Sequence, residues 1–120
     1  MGTRMGIVER RIGDVTILKL IGRLELEDGD LVLRDAVNRL VDAGQVKLVL
    51  DMKEVTRLDS AGIGMMVSKY LTARRAGGAI KILHPTDRTD HLMDITKLTT
   101  VFGIFHNEDD AVKSFGVHAG

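Results

Sequence analysis

The sequence lacks features on which several classes of protein depend. It has no cysteine among its 120 residues, so disulfides and thiolate metal sites are excluded. It has no excess charge, because 17 basic residues balance 17 acidic ones, which argues against bulk binding of nucleic acid or anionic membrane. No apolar run approaches the about 20 residues that a membrane span needs, and no signal-peptide core follows Met1. These absences predict a soluble, cytoplasmic protein with no direct contact to nucleic acid or membrane.

The common signatures of cofactor and metal sites are also missing. The chain has no Walker A lysine, and Gly62-x-Gly64 lacks the third glycine of a dinucleotide loop. The histidines have no metal-ligand spacing; they are His84, His91, His106 and His118. We therefore expect no cofactor and no metal.

The pattern of apolar residues predicts a single α/β domain over residues 1–120. Apolar residues make up 44% of the chain, enough for one core. After an N-terminal hairpin, strand patterns alternate with helix patterns, which predicts right-handed crossovers and a largely parallel sheet. The predicted strands are Ile7 to Ile12, Val15 to Ile21, Val46 to Leu50, Ala79 to Leu83 and Val101 to His106. The predicted helices begin at Asp28-Gly29-Asp30, Ser60, Asp87 and Asn107.

The second predicted helix, from Ser60 to about Ala76, has two faces in this interpretation. Its core stripe is Ile63, Met66, Val67, Tyr70 and Leu71. Its outward face is Ala61, Met65, Ser68, Lys69 and Thr72. Methionine suits an adaptable binding surface, so Met65 is either a partner contact or a residue packed beneath a neighbouring loop.

The stretch from Val55 to Gly64 is the most informative, because a serine stands where a strand gives way to a helix. Serine is a preferred N-cap, since its hydroxyl accepts a hydrogen bond from a free N–H of the first turn. We predict that Ser60 caps the second helix, with Asp59 directly before it. A phosphate there would meet the positive end of the helix dipole, so the site could change charge without unfolding the protein.

A loop rich in carboxylates follows the second predicted strand. It carries Glu25, Glu27, Asp28 and Asp30. Because the carboxyl ends of neighbouring parallel strands meet at one edge of a sheet, we expect this loop beside Ser60. Two interpretations stay open: a solvated loop that favours the next helix N-terminus, or an electrostatic edge that a partner recognises.

Catalysis by Ser60 is the alternative from another class of function. A nucleophilic serine needs a base within reach, and no histidine lies nearby in the sequence. A nucleophile elbow has glycine two residues before the serine, where this chain has Leu58. A small serine hydrolase is the weaker alternative, and we expect a protein that is not an enzyme.

Three segments resemble the STAS domain, the family of sulphate-transporter and anti-sigma-factor-antagonist modules. Leu58 to Gly64 is similar to its Asp-Ser-(Ser/Thr)-Gly-Leu-Gly signature, with Ala61 at the second hydroxyl position. Gly22 to Glu25 is similar to Gly-x-Leu-Asp, with Glu25 for aspartate. Asp94 to Leu98 is similar to Asp-x-(Ser/Thr)-Gly-Leu, with Lys97 for glycine. The resemblance covers nearly the full length, and the serine signature is its most specific part.

The resemblance implies a mixed, mostly parallel sheet with an N-terminal hairpin and helices largely on one face. Antagonists of this family bind a serine-kinase anti-sigma factor when they are unphosphorylated, and so release sigma. The kinase phosphorylates the serine that matches Ser60, and a serine phosphatase reverses this. Together with the patterns above, this predicts phosphorylation of Ser60 and a set of partner-binding residues: Glu25, Asp28, Asp59, Ser60, Ala61, Gly62 and Met65.

Other assignments within the family stay open. A STAS subunit of a stress-signalling complex or of a lipid-transport ATPase would share this fold, and a weak homodimer is also left open. Lys97 replaces the usual glycine cap, which leaves the end of the third helix undetermined.

Overall fold

A mixed sheet organises the molecule. The computed structural model describes residues 4–116, which form one five-stranded sheet in the order β1-β2-β3-β4-β5. The strands are β1 (Gly6–Ile12), β2 (Val15–Leu24), β3 (Lys47–Leu58), β4 (Ala79–Leu83) and β5 (Gly103–Phe105). The helices are α1 (Gly29–Asp42), α2 (Ser60–Arg75), α3 (Asp87–Ile95) and α4 (Glu108–Lys113), with a 3-10 turn at Leu98–Thr100. The hairpin β1-β2 is antiparallel and every later pair is parallel, which confirms the predicted fold class.

Alternate residues of the strands build two apolar layers. The larger cluster joins the inner strands to α1, α2 and α3; among its members are Leu20, Leu48, Leu50, Ile80, Ile82, Leu33, Val37, Met66 and Met93. The smaller one, on the other face, is Val15, Ile17, Val49, Leu83 and Ala111 of α4. Arg10 of β1 forms an ion pair with Glu108 of α4 on that face. Three helices therefore cover one face, as expected, and α4 covers the other.

Two central strands are longer than their apolar runs predict. The prediction ends β3 at Leu50, but the strand continues to Leu58 and pairs with β2 as far as Leu24. The extra half of β3 has no continuous apolar run: Asp51, Met52 and Val55 are buried, whereas Lys53, Glu54, Thr56 and Arg57 are exposed. Backbone pairing with β2 stabilises it, and hydrophobic patterning does not detect pairing. The extension brings Leu24 and Leu58 to the same edge of the sheet.

The predicted core stripe of α2 is wrong by about one quarter of the helix circumference, given about 100° per residue. The buried residues are Gly62, Met66, Lys69 and Ala73, whereas Leu71 is 45% exposed. Lys69 is tolerated because its ammonium donates to the Asn38 side-chain oxygen of α1 at 2.8 Å. The cause of the rotation is Gly62, at which an added Cβ would lie 2.1 Å from the carbonyl oxygen of Leu24. Because Gly62 has no side chain, this face of α2 lies close against β2.

The end of α3, which the sequence left undetermined, lies at Ile95. Lys97 adopts the left-handed conformation with φ of 64° and so makes the turn that a glycine usually makes there.

Within residues 4–116, no helix combines the length and the apolar character that crossing a membrane requires.

Two glycines of α2 provide a matched test of this packing. Gly62→Ala should destabilise the fold by about 1–3 kcal/mol or more, because its methyl group overlaps the Leu24 carbonyl. Gly64→Ala should stabilise it by about 0.5–1 kcal/mol, because an added Cβ there meets nothing within 4 Å and alanine is the better helix former. Urea unfolding of both variants at low protein concentration measures the two effects. Equal stability of the two variants would contradict the close approach of α2 to β2.

Candidate functional site

Two loops meet at the carboxyl edge of the sheet. The loop from β2 to α1 contains Glu25 to Asp28, and the junction from β3 to α2 is Asp59 alone. The last paired residues, Leu24 and Leu58, precede these two segments directly. The N–H of Asp59 donates to the Leu24 carbonyl at 3.4 Å, which continues the contact past the ladder. The predicted meeting of the carboxylate loop with the serine signature is therefore present.

The carboxylate of Asp59 joins the two loops. Its Oδ1 accepts a hydrogen bond from the N–H of Gly62 at 2.9 Å, and its Oδ2 accepts one from the N–H of Leu26 at 3.1 Å. Asp59, not Ser60, is thus the N-cap of α2, and the predicted cap was wrong by one residue. Aspartate wins because its two oxygens serve both segments, whereas a serine hydroxyl is a single group.

The pKa of Asp59 is lower than the ordinary value for aspartate. Partial burial favours the neutral acid, but the backbone N–H groups of Gly62, Leu26 and Ala61 outweigh it by favouring the carboxylate. Asp59 is therefore charged at neutral pH. Its negative charge lies at the positive end of the α2 dipole, where it is stabilising.

Ser60 is the first residue of α2, and its side chain is exposed. Among residues 4–116, no hydrogen bond of its hydroxyl is formed with a protein group. The fold therefore makes no use of this hydroxyl, which faces solvent at the start of a helix.

The carboxylates of the β2–α1 loop have different surroundings. Glu25 accepts from Arg57 at 3.0 Å and lies 3.9 Å from Arg23. Asp28 lies 4.0 Å from Arg23 and accepts weakly from the N–H of Met5 at 3.4 Å. These surface ion pairs stabilise little, but they compensate part of the negative charge. The loop is consequently less acidic toward a partner than its sequence indicates.

Among the acidic residues of this loop, Asp30 and Glu27 differ most in burial. Asp30 is buried, and its Oδ1 accepts from the N–H groups of Asp28 at 3.1 Å and Leu31 at 2.8 Å, so it belongs to the start of α1. Glu27 is exposed, with a left-handed φ of 60°. Asp30 therefore supports the start of α1, as the first interpretation of the loop expected, and Glu27 presents its charge to solvent. Recognition of this charge by a partner stays a prediction.

Leu26 is a candidate contact residue that the sequence reasoning missed. It is 64% exposed at the tip of the β2–α1 loop, while its N–H is held by Asp59. The loop around it is ordered by bonds from the N–H groups of Asp28 and Asp30 to the Glu25 carbonyl, each 3.2 Å long. The signal in the sequence is a lone leucine between Glu25 and Glu27, where only solvated residues are expected.

The remaining predicted partner residues are less accessible. Gly62 is buried against Leu24, so it contributes backbone and not surface. Ala61 is half-buried. Met65 is half-buried and packs against the larger core cluster, and Val67 does the same. The predicted contrast between an outward Met65 and a core Val67 is therefore wrong.

Within residues 4–116 no three histidine, aspartate or glutamate side chains are grouped as a metal site would require, and His118 lies outside the described residues.

A pair of substitutions separates the cap from its neighbour. Asp59→Ala should lower stability by about 0.5–2 kcal/mol through loss of the cap, and amide exchange at Leu26 should accelerate. Ser60→Ala should change stability by less than about 0.5 kcal/mol, because nothing in the fold depends on the hydroxyl. A larger loss of melting temperature in Ser60→Ala than in Asp59→Ala would contradict Asp59 as the cap and favour Ser60.

The pH dependence of Asp59 has a definite sign. Because its pKa in the folded state is depressed below 3.8, its charge stabilises the fold fully above that value, and this contribution is lost as pH falls through the folded pKa. Asp59→Asn keeps a capping oxygen without the charge. The stability difference between wild type and Asp59→Asn should therefore be constant at neutral pH and shrink below about pH 4 in urea titrations at several pH values. A difference that grows on acidification would contradict the assigned contacts.

Comparison with known proteins agrees with this architecture. The family model of the STAS domain matches residues 7–111. The chain is 26% identical over 104 residues to the anti-sigma F factor antagonist of Paenibacillus polymyxa. The aligned segment covers 86% of this chain and 88% of that protein.

Solved structures share the fold. A candidate anti-sigma factor antagonist from Thermotoga maritima superimposes with a TM-score of 0.84 at 20% identity, over 91% of this chain and 93% of that one. The Bacillus cell fate determinant SpoIIAA, in its phosphorylated form, superimposes with a TM-score of 0.71 at 14% identity, over 91% and 98% of the two chains. Because the family model spans most of the sequence, the resemblance is confirmed, and the chain belongs to the STAS domain family.

Proposed function

We propose that this protein is an anti-sigma factor antagonist whose binding is switched by phosphorylation of Ser60. In its unphosphorylated form it binds a serine-kinase anti-sigma factor, which then releases sigma. The chain acts as one STAS domain in the cytoplasm, as a binding protein and not as an enzyme. The observation that carries this proposal is an exposed serine hydroxyl at the start of α2 that the fold does not use.

The position of Asp59 explains why such a switch would leave the fold intact. Since Asp59 supplies the cap, modification of Ser60 removes no hydrogen bond between described protein groups. A phosphate adds about −1.5 to −2 charge, and the helix N-terminus favours it by about 0.3–1 kcal/mol. The phosphate also lies beside the ionised Asp59 carboxylate, so part of this gain is cancelled. Stability should change little while the surface charge changes greatly.

Binding of a partner would respond much more strongly. A partner that docks on Ser60 must remove water from a phosphate and from Asp59 together, and groups of like charge would be repelled. A difference of about 2.8 kcal/mol between the two forms changes affinity about 100-fold. A serine phosphatase would restore the binding form. The anti-sigma F factor antagonist from Paenibacillus polymyxa and the phosphorylated form of SpoIIAA among the similar proteins support this assignment.

The contact surface that we propose centres on Ser60 and the tip of the β2–α1 loop. Glu25, Asp28 and Asp59 stand at its edge, with their charges partly compensated or engaged in backbone bonds. Ala61 and Met65 contribute their exposed parts, and Gly62 contributes through the backbone position that it permits. Leu26 adds the apolar contact that the sequence reasoning assigned to Met65.

Phosphorylation can be tested directly. The Ser60→Ala chain should capture a serine-kinase anti-sigma factor, which is then identified, purified and incubated with wild-type protein and ATP. Peptide mass mapping should find phosphate on Ser60, and Ser60→Asp should bind the same kinase at least about tenfold more weakly with an almost unchanged melting temperature. Phosphate only on another residue, such as Ser68 or Thr72, would refute the proposed switch.

The role of Leu26 can be separated from folding. Leu26→Ser should raise the dissociation rate of the kinase complex about tenfold, because an exposed apolar contact is lost, with little change in stability. Asp28→Ala should act mainly on the association rate and its salt dependence. Ile95→Ser is the matched control, since Ile95 is 62% exposed on α3, outside the proposed contact surface. Surface plasmon resonance on the three variants decides, and a control that weakens binding as much as Leu26→Ser would disprove the assigned surface.

A further inference from the structure

The solvent face of α2 carries an apolar stripe that begins at Ser60. Gly64, Val67 and Leu71 follow Ser60 at spacings that place all four on one face of a helix. Gly64 is exposed, Val67 is half-buried and Leu71 is 45% exposed. The buried residues Gly62, Met66, Lys69 and Ala73 occupy the opposite face. The stripe therefore faces solvent, with Val67 also packed against the larger core cluster and with exposed Ser68 and Arg75 beside it.

The shape of this stripe is complementary to itself. A Cβ added at Gly64 would meet no atom within 4 Å, so the backbone is open there, while the Leu71 side chain projects from the same face. The two residues are equally far from the middle of α2, which lies between Val67 and Ser68. If two copies of α2 pack antiparallel about a twofold axis at that point, Leu71 of each copy fits over Gly64 of the other.

The charges of α2 favour the same arrangement. Arg74 and Arg75 are exposed at its C-terminal end, and neither has an ion-pair partner within residues 4–116. Its N-terminal end carries the ionised Asp59 and lies beside the exposed Glu27. Antiparallel packing brings the basic end of one copy to the acidic end of the other, whereas parallel packing would bring like charges together.

We propose that α2 is the interface of a weak, twofold symmetric homodimer, in which the stripe Ser60, Gly64, Val67 and Leu71 packs against its own copy. The same patch serves both subunits, as closed twofold symmetry requires. The helix is about 24 Å long at about 1.5 Å per residue, so the contact is small and the dissociation constant should be about 10 μM to 1 mM. Ser60 of each copy lies opposite Arg75 of the other. The dimer needs neither phosphate nor an anti-sigma factor.

Sedimentation velocity over a concentration series tests the dimer. Wild type should shift from monomer to dimer over about 10 μM to 1 mM, and more readily at low salt. Leu71→Ser and Gly64→Ala should each weaken the dimer at least about tenfold, the first by removing the projecting side chain and the second by filling the gap. Gly64→Ala is expected to be more stable than wild type, so its loss of dimer could not be attributed to unfolding.

Val8→Ser is the matched control, because Val8 is 49% exposed on the edge strand β1 and pairs with Lys19, on the face away from α2. It should dimerise like wild type. Wild type that stays monomeric at about 1 mM, or a dimer that tolerates Leu71→Ser and Gly64→Ala, would overturn the proposal. A dimer that only Val8→Ser disrupts would place the interface on β1 and overturn it equally.

A charge exchange tests the antiparallel orientation. Arg75→Glu should weaken self-association by placing a carboxylate at an acidic end, and Ser60→Lys should weaken it by placing an ammonium opposite Arg75. A mixture of the two variants should associate at least about tenfold more tightly than either alone, because the introduced ammonium of one chain then faces the introduced carboxylate of the other. A mixture that is no tighter than its components would exclude the antiparallel packing. Neither variant needs the partner protein, so this result is independent of the proposed antagonist function.

Discussion

The two hydrogen bonds of the Asp59 carboxylate are the interaction on which the candidate functional edge of this domain depends. One oxygen accepts a hydrogen bond from the N–H of Gly62 in the first turn of α2. The other accepts one from the N–H of Leu26 at the tip of the β2–α1 loop. The two segments are distant in the chain, since Leu26 and Asp59 are separated by 33 positions. A single side chain therefore sets both the direction of α2 and the position of Leu26. Because the pKa of Asp59 is lowered, its carboxylate is ionised at neutral pH, and the charge strengthens both hydrogen bonds.

Because Asp59 supplies the cap, Ser60 is free for another role. A cap serine that accepts a bond from the helix backbone would lose that bond or distort it on modification. Here the hydroxyl is one residue further along, exposed and without a bond to the described part of the chain. Under the proposed function, stability and signalling would be carried by adjacent residues. This separation would let a large change in charge occur at this edge of the sheet without loss of the cap.

Helix α2 shows how one close contact changes the use of a whole element. Gly62 packs closely against the Leu24 carbonyl. This contact places the glycine-bearing face of α2 against the sheet and leaves Leu71 facing solvent. Lys69 is buried as a result and is satisfied by Asn38. Within the apolar stripe, Gly64 and Leu71 are exposed in line with Ser60, whereas Val67 also packs against the larger core cluster. Such a face is typical of a helix that contacts another protein.

The sequence alone determined the architecture and the position of the candidate site. Alternating patterns predicted the hairpin and the parallel crossovers, because the hydrophobic periods of helices and strands differ. The resemblance to the STAS family implied helices mostly on one face. The Asp59-Ser60 signature located the helix start at which we propose the switch, since few residue types suit a helix start that also carries a free hydroxyl. Only the tertiary structure decided the finer roles: the length of β3, the cap at Asp59, the rotation of α2, the ion pairs of Glu25 and Asp28, and the exposure of Leu26. Hydrophobic periodicity reports which residues are apolar, but a backbone contact such as that between Gly62 and Leu24 decides which apolar face is buried.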